Sequence, residues 1–365
     1  MKVLLVNYEK DWGGAENVFT VYAQLLRDSG YKVTAYIQCG GELHRRCRKL
    51  SGVEVLEWQS SAGIFGYLAG LVKLLFKAEY SCIFLNNQKA ISCAPLVRIF
   101  SKSIVVGYEH TAQPNSLRSW LLDSLIKLWI DKYICVSKYM ISRRTLSVQH
   151  KCIQIYNGFK DIGTEVSDFE RDIHRGRLTI GVFSIFRRWK GQHYVIQSLA
   201  VLKKRGLEVN CIFVGGPDSS DPAYYQECKD LISKLELTPW IEMRGFCDDA
   251  LKVMREDADV IIQPSLNPDP LPTTVIEALM LSKPIIAFDQ GGIAEMVGQK
   301  NNGILIKNPD CIDLADAIQT YSENRVLLFR HGVNSRKCFK RNFSLNKYRA
   351  NFMNAIDDVM RIRKC

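Results

Sequence analysis

The segment Ala258–Val297, ADVIIQPSLNPDPLPTTVIEALMLSKPIIAFDQGGIAEMV, decides how the rest of the chain is read. Its apolar run Val260–Ile262 enters a loop rich in Pro and Asn. A short helical pattern follows from about Thr274 to Leu281, and a second strand-like run begins at Pro284. The spacing predicts strand, loop, helix, strand, turn, helix. In open parallel sheets, ligands sit beyond the carboxyl ends of strands, where the next helix offers unpaired N–H groups and the positive end of its dipole. Asp269 on the loop, a helix starting at Thr274 and the turn Gly291-Gly292 would make such a crevice, and phosphate is the anion it suits best. Two plainer readings stay open on spacing alone. Thr274-Val-Ile-Glu277 is a capping-box spacing, in which Glu277 satisfies its own helix, and Asp269 can be a solvated loop carboxylate.

Read whole, the segment resembles the nucleotide-sugar site of the retaining GT-B glycosyltransferases of family 4. The matching features are a carboxylate, seven residues, Glu-Ala on a helix, then Lys-Pro-Ile-Ile-Ala and Gly-Gly-Ile-x-Glu. The resemblance implies an α/β fold of two Rossmann-like domains facing a cleft, with the last helix crossing back to the first domain.

Working outward, strand and helix patterns alternate through the chain, which predicts parallel sheets. At 365 residues it is long enough for two α/β domains, each with its own core. The expected division is an acceptor-binding domain over 1–160, a polar linker over 161–177, a nucleotide-sugar domain over 178–340, and a C-terminal helix over 341–365.

Composition narrows the class. Hydrophobic residues make up 47% and charged residues 24%, which is globular rather than disordered. The longest apolar stretch, Ala62–Phe76, is broken by Lys73 and falls short of the roughly 20 residues that cross a bilayer. The N-terminus reads as a first strand rather than a signal peptide, so a cytoplasmic protein is expected. The 12 cysteines are irregularly spaced with no C-x-x-C pair, which favours reduced core thiols and gives no support to a zinc site.

The net charge of +11 is uneven. Residues 1–165 carry 21 Lys+Arg against 13 Asp+Glu (+8), and residues 166–365 carry 28 against 25 (+3). With no zinc finger, RNA-binding strand signature or helix-turn-helix, nucleic acid is the weaker partner. An anionic membrane surface on the inner face of the cytoplasmic membrane is preferred. The run His44–Lys49 places four cations in six residues. A solvated helix face explains it; together with Ala62–Phe76, Lys73 and Lys77 it would form one surface resting on a membrane.

Further motifs follow strand-like runs. Val3–Val6 and the loop Asn7–Trp12 lead to Gly13-Gly14-Ala15-Glu16, where glycines permit close approach to a ligand and the helix offers amides; a tight turn is an equal reading. Ser81–Asn86 ends in Asn86-Asn87-Gln88, and Ser103–Gly107 in Tyr108-Glu109-His110-Thr111. The resemblance puts Gly13 and Gly14 on donor phosphates or acceptor and His110 near the donor sugar, with Glu109 a weaker candidate. Ile155–Phe159 resembles the segment that closes the first domain.

In the second half, Leu178–Phe183 precedes Arg187-Arg188-Trp189-Lys190-Gly191-Gln192. Cations on a strand-to-helix loop can neutralise a diphosphate. Family members usually carry Gly-Arg just after this strand, where this chain has Ser184-Ile185; Arg187 or Arg188 must then reach in. The resemblance places Arg244, Gly245 and Phe246 at the nucleotide base, largely through backbone groups, Glu277 on the ribose, Asp269 on the transferred sugar, and Lys190 with an arginine on the diphosphate. The amides of Leu271, Thr273 and Thr274 are available; Pro270 and Pro272 have none. Asp269 stands where the family usually has Glu, which leaves donor identity open.

The resulting expectation is a retaining, metal-independent glycosyltransferase without cofactor. It would move a hexose-type sugar from a nucleoside-diphosphate sugar to a hydroxyl of a lipid-linked, membrane-associated glycan of O-antigen, capsule or lipopolysaccharide type. The alternatives are another GT-B enzyme, such as an epimerase or phosphorylase, and a non-catalytic nucleotide-sugar-binding protein.

Overall fold

The computed structural model describes residues 1–10, 13–111, 117–163, 176–298 and 301–361. The chain divides into two compact units, Met1–Gly158 with Leu345–Cys365, and Phe159–Ser344.

In the first unit, strands β1 (Lys2–Asn7), β2 (Lys32–Gln38), β3 (Val53–Trp58), β4 (Cys82–Asn86), β5 (Ile104–Glu109), β6 (Lys132–Cys135) and β7 (Cys152–Gln154) form one sheet. Its order is β3-β2-β1-β4-β5-β6-β7, and every pairing is parallel. The central strands are apolar without alternation, as in β1 (KVLLVN) and β4 (CIFLN), because helices cover both faces. Order reverses between β1 and β4, so the crevice of this unit lies beyond their carboxyl ends, at Asn7 and Asn86.

Right-handed crossovers put α1 (Gly14–Asp28) and α2 (Glu42–Lys49) on one face of this sheet. They put α3 (Gly63–Lys77), α4 (Asn87–Ile91), α5 (Ala94–Phe100) and α6 (Leu117–Trp129) on the other. This corrects the expected single membrane surface, since the His44–Lys49 run and Ala62–Phe76 lie on opposite faces. Three of the four α2 cations are also engaged: Arg45 and Arg46 pair with Glu42, and Arg48 with Glu57, whose carboxylate also meets His44 Nε2 at 2.8 Å. Short helices α7 (Lys138–Ser142) and α8 (Leu146–Gln149) complete the unit before β7.

The second unit repeats the plan with β8 (Thr179–Phe183), β9 (Asn210–Val214), β10 (Ile241–Gly245), β11 (Val260–Gln263), β12 (Ile285–Phe288) and β13 (Gly303–Ile306). The order is β10-β9-β8-β11-β12-β13, all parallel, with the reversal between β8 and β11. Its helices are α9 (Gln192–Lys204), α10 (Pro222–Lys234), α11 (Ala250–Asp257), α12 (Thr273–Met280), α13 (Cys311–Glu323) and α14 (Arg325–Asn342). A buried core including Val182, Phe186, Leu199, Phe213 and Phe288 fills this unit.

The final helix α15 (Leu345–Arg361) belongs to the first unit. Phe352 stacks on Tyr22 with centroids 5.7 Å apart, and the Tyr348 and Tyr108 hydroxyls lie 3.4 Å apart. Gly158 makes room for this helix: a Cβ there would meet the Tyr348 Cβ at 2.2 Å. The expected boundaries shift accordingly. Phe159 N donates to Phe343 O at 2.8 Å and Arg336 holds Asp161 at 2.7 and 2.8 Å, so 159–163 and 341–344 pack within the second unit. Of the expected linker, 164–175 lie outside the described residues, as do residues 11–12 and 362–365. All cysteines among the described residues are free thiols.

Candidate functional site

In the second unit, three loops at the carboxyl ends of β8, β9 and β11 are sewn together by contacts only glycine permits. Gly191 is left-handed (φ 74°), and a Cβ there would sit 2.0 Å from the Pro264 carbonyl oxygen. Gly215 (φ 145°) approaches the Ser184 carbonyl as closely. Leu266 N donates to Trp189 O at 2.7 Å, fixing the β8–α9 loop to the β11–α12 loop. The result holds Lys190 Nζ 3.5 Å from Asp269 Oδ2. Burial lowers the Lys190 pKa and Asp269 counters it, while the nearby Arg187 adds to the lowering.

Asp269 is pinned from behind. Gly292 N donates to its carbonyl at 2.8 Å, and Gly291 (φ 73°) passes so close that a Cβ would meet its backbone at 2.4 Å. Asp269 Oδ1 also accepts from Leu271 N at 3.3 Å, so that amide, expected to be available, is turned inward. The amides of Thr273 and Thr274 open α12, whose N-cap position is Pro272 and has no side-chain cap. The Thr274 hydroxyl instead donates to Phe183 O at 3.2 Å, tying α12 to the end of β8. The capping box is therefore not formed. Among the described residues the Glu277 carboxyl has no hydrogen-bond or ion-pair partner, and burial raises its pKa.

The two arginines separate. Arg187 pairs with the buried Asp218, which the Ser220 amide and hydroxyl hold below the usual carboxylate range, and it lies on the Lys190 side. Arg188 reaches Glu227 at 2.5 Å and Asp221 at 3.3 Å and packs over the Tyr224 ring, beside α10. Gln192 occupies the space behind Ser184-Ile185, donating to the Ser184 hydroxyl and the Ile185 carbonyl at 3.0 Å each.

The Arg244 guanidinium is bound by Glu242 at 2.8 and 2.9 Å and by Asp257. It lines a cavity of about 520 Å³ with Thr179, Asn210 and Trp240, at the starting ends of the strands, away from the site. The Gly245 carbonyl accepts from Gly215 N at 2.7 Å, and Phe246 is exposed. Arg244 is the extra residue where the β10–β9 register shifts between Met243 and Gly245, and such a bulge re-aims the side chain it carries, so motif position alone does not aim it.

The first unit carries a polar network at the ends of β1, β4 and β5. Asn86 and Asn87 both donate to Asn7 Oδ1 at 3.1 Å, Asn87 (φ 69°) donates to Glu16 at 3.1 Å, and the Tyr22 hydroxyl donates to Asn86 Oδ1 at 3.3 Å. His110 Nε2 lies 3.1 Å from the same Asn86 oxygen, with its ring stacked on Tyr108 at 4.4 Å. An oxygen acceptor at Nε2 assigns the proton there and leaves Nδ1 as the acceptor. Nδ1 is buried and has no partner among the described residues. Burial pushes the His110 pKa down to about 3, so the ring is neutral. Glu109 is a loop brace: one oxygen accepts from the amides of His110 and Thr111 and from the Thr111 hydroxyl.

Gly13 caps α1 without a side-chain bond, and Gly14 opens the helix. Glu16 sits in this first turn, its pKa raised by burial. The sequence reading missed Glu16 and Asn7 as network members and Asp218 as the partner of Arg187. Their only sequence signal was position, a polar residue just past a strand end or a Gly-Gly turn.

Two doubly wound parallel sheets, each with its polar groups at the strand carboxyl ends, define a GT-B fold. The chain is similar to HepE of Anabaena solved in complex with UDP, at 23% identity and a TM-score of 0.84, over 98% of this chain and 100% of that one. Residues 164–342 match the family model of glycosyl transferases group 1. Among curated proteins, the uncharacterized glycosyltransferase MJ1178 of Methanocaldococcus jannaschii is 28% identical over 219 residues, 60% of this chain and 56% of that protein. The lipopolysaccharide core biosynthesis mannosyltransferase LpcC of Rhizobium leguminosarum bv. viciae is 24% identical over 172 residues, 47% of this chain and 48% of that protein. The chain thus spans about half the length of the curated relatives it matches.

Proposed function

We propose that the chain is a retaining glycosyltransferase of family 4 type, moving a hexose-type sugar from a nucleoside-diphosphate sugar to a hydroxyl of a membrane-associated glycan. The observation that carries this is the Lys190–Asp269 pair beside the uncapped start of α12, with the partnerless Glu277 one turn further on. As the glycosidic bond breaks, negative charge grows on the diphosphate. Lys190, Arg187 and the Thr273 and Thr274 amides stabilise it there without reorganising and without a metal. When Lys190 turns to phosphate, Asp269 is released to accept hydroxyls of the transferred sugar. Glu277 accepts the ribose hydroxyls, an exchange that supplies the partners it lacks. His110 Nδ1 accepts from a substrate hydroxyl, and the α1 start at Gly13-Gly14 offers amides to donor or acceptor. The LpcC likeness supports an acceptor of lipopolysaccharide type, and the UDP bound in HepE makes uridine the first base to try.

The test is thermal stabilisation by UDP-, GDP-, ADP-, CMP- and dTDP-sugars, with Glu277→Ala as control, since a ligand binding only the folded state raises the melting temperature. One stabilising donor, lost in the variant, fixes the base; no shift with any donor sinks the reading. Anomeric configuration of a transfer product by NMR decides retention. Conversion of the donor with no acceptor present would favour an epimerase.

A further inference from the structure

Half of the strongly exposed large apolar side chains among the described residues gather on three neighbouring helices of the first unit. On α3 these are Ile64, Phe65 (83% exposed) and Phe76 (72%); on α5, Ile99 (69%); on α6, Trp120 (61%), Leu121 and Leu128 (67%). The helices lie side by side on one face of the sheet, and Phe76 and Phe100 join α3 to α5 with centroids 5.2 Å apart. A groove of about 390 Å³ between α4 and α6 continues this apolar face, lined by Leu121, Leu122, Leu125 and Leu128 with Gln88 and Ser92.

Exposed charge on these three helices is basic. Lys73 and Lys77 on α3, Lys102 just past α5 and Lys127 on α6 are exposed, and none forms an ion pair with another described residue. The helices α3 and α5 contain no acid, and the one acid of α6, Asp123, is buried against Arg144 at 2.9 Å. The nearest acids in sequence, Glu79 and Asp131, follow the ends of α3 and α6, and Asp131 pairs with Arg98 of α5. Protruding aromatic rings flanked by unpaired lysines are what an interfacial surface needs: rings enter the headgroup and acyl boundary while ammonium groups meet anionic headgroups. On the opposite face, three of the four α2 cations, Arg45, Arg46 and Arg48, are paired with Glu42 and Glu57. No helix among the described residues is long and apolar enough to cross a membrane, so this face would rest on the bilayer.

We propose that the α3–α5–α6 face docks on an anionic lipid bilayer, with the α4–α6 groove taking the end of an acyl chain. This deepens the reading of a membrane-associated acceptor by naming the surface that brings the chain to it.

The test is co-sedimentation of the full chain with vesicles of phosphatidylcholine alone or mixed with phosphatidylglycerol, with no sugar donor or acceptor present. The expected result is binding to the anionic vesicles, weakened by salt, and a fall of roughly ten-fold or more in the Phe65→Ser, Phe76→Ser, Trp120→Ser triple variant. All three side chains are exposed, and retained thermal stability shows that the variant folds. Glu277→Ala should bind vesicles as the parent does, which separates this outcome from any failure of the donor site. No binding by the parent, or equal binding by the triple variant, overturns the proposal. So does a concentration-dependent dimer that the variant abolishes without vesicle binding, since the face would then cover a second copy.

Discussion

Lys190 Nζ faces Asp269 Oδ2 at 3.5 Å across two loops that Gly191 and Gly291 allow to approach. The cation that would serve a diphosphate and the carboxylate that would serve a sugar satisfy each other. Removing either leaves a half-buried charge unpaired. Lys190→Ala is therefore expected to lower kcat by about 10²–10³-fold, with initial rates at saturating donor as the measurement. A Lys190→Ala enzyme with unchanged kcat would remove the lysine from the leaving-group role.

Glu277 offers a trade between stability and binding. Its carboxyl is raised by burial, so the folded state favours the proton; the stabilisation is present below the unfolded pKa and is lost as pH rises through the folded one. Glu277→Gln should then melt higher than the parent at neutral pH, the gain vanishing near pH 4, while donor-induced stabilisation disappears. Melting curves across pH with and without donor read both effects.

His110 gives a pH dependence of its own. Burial holds it at about 3, below its unfolded value, so on acidification the unfolded chain takes up a proton that the folded chain refuses. Stability from this group is intact above about pH 6.5 and falls toward pH 3, by up to about 1.4 kcal/mol per pH unit. A His110→Gln variant should lose less stability than the parent over that window in parallel denaturant titrations.

The arginines should separate in function as they do in space. Arg187→Ala is expected to weaken donor binding by about ten-fold or more. Arg188→Ala, whose partners Glu227 and Asp221 lie beside α10, should change it by less than about three-fold. Isothermal titration with the stabilising nucleotide sugar decides; equal losses would contradict the assignment.

Gly191→Ala tests the loop packing. A left-handed alanine whose Cβ meets the Pro264 carbonyl should cost on the order of 2 kcal/mol. Donor binding should fall with it, because the same loop carries Lys190. An unchanged melting temperature would refute the close approach.

The sequence by itself determined the alternation of apolar strands with helices, the two parallel sheets that follow from it, and the loops on which most of the candidate site residues stand. Those features are local: a strand buried on both faces must be apolar throughout, and a glycine is demanded wherever two backbones touch. Asp269 and Lys190 stand on loops after β11 and β8 and His110 just past β5, but these and Glu277, inside α12, were singled out by the family resemblance rather than by position alone. Tertiary structure alone decided that Arg187 rather than Arg188 lies beside Lys190, because that depends on Asp218, 31 residues away, claiming one guanidinium. It turned Arg244 to the opposite end of its sheet and took the Leu271 amide for Asp269. It also put the basic α2 and the apolar α3 on opposite faces, since crossover direction is set by strand order, which no single segment encodes.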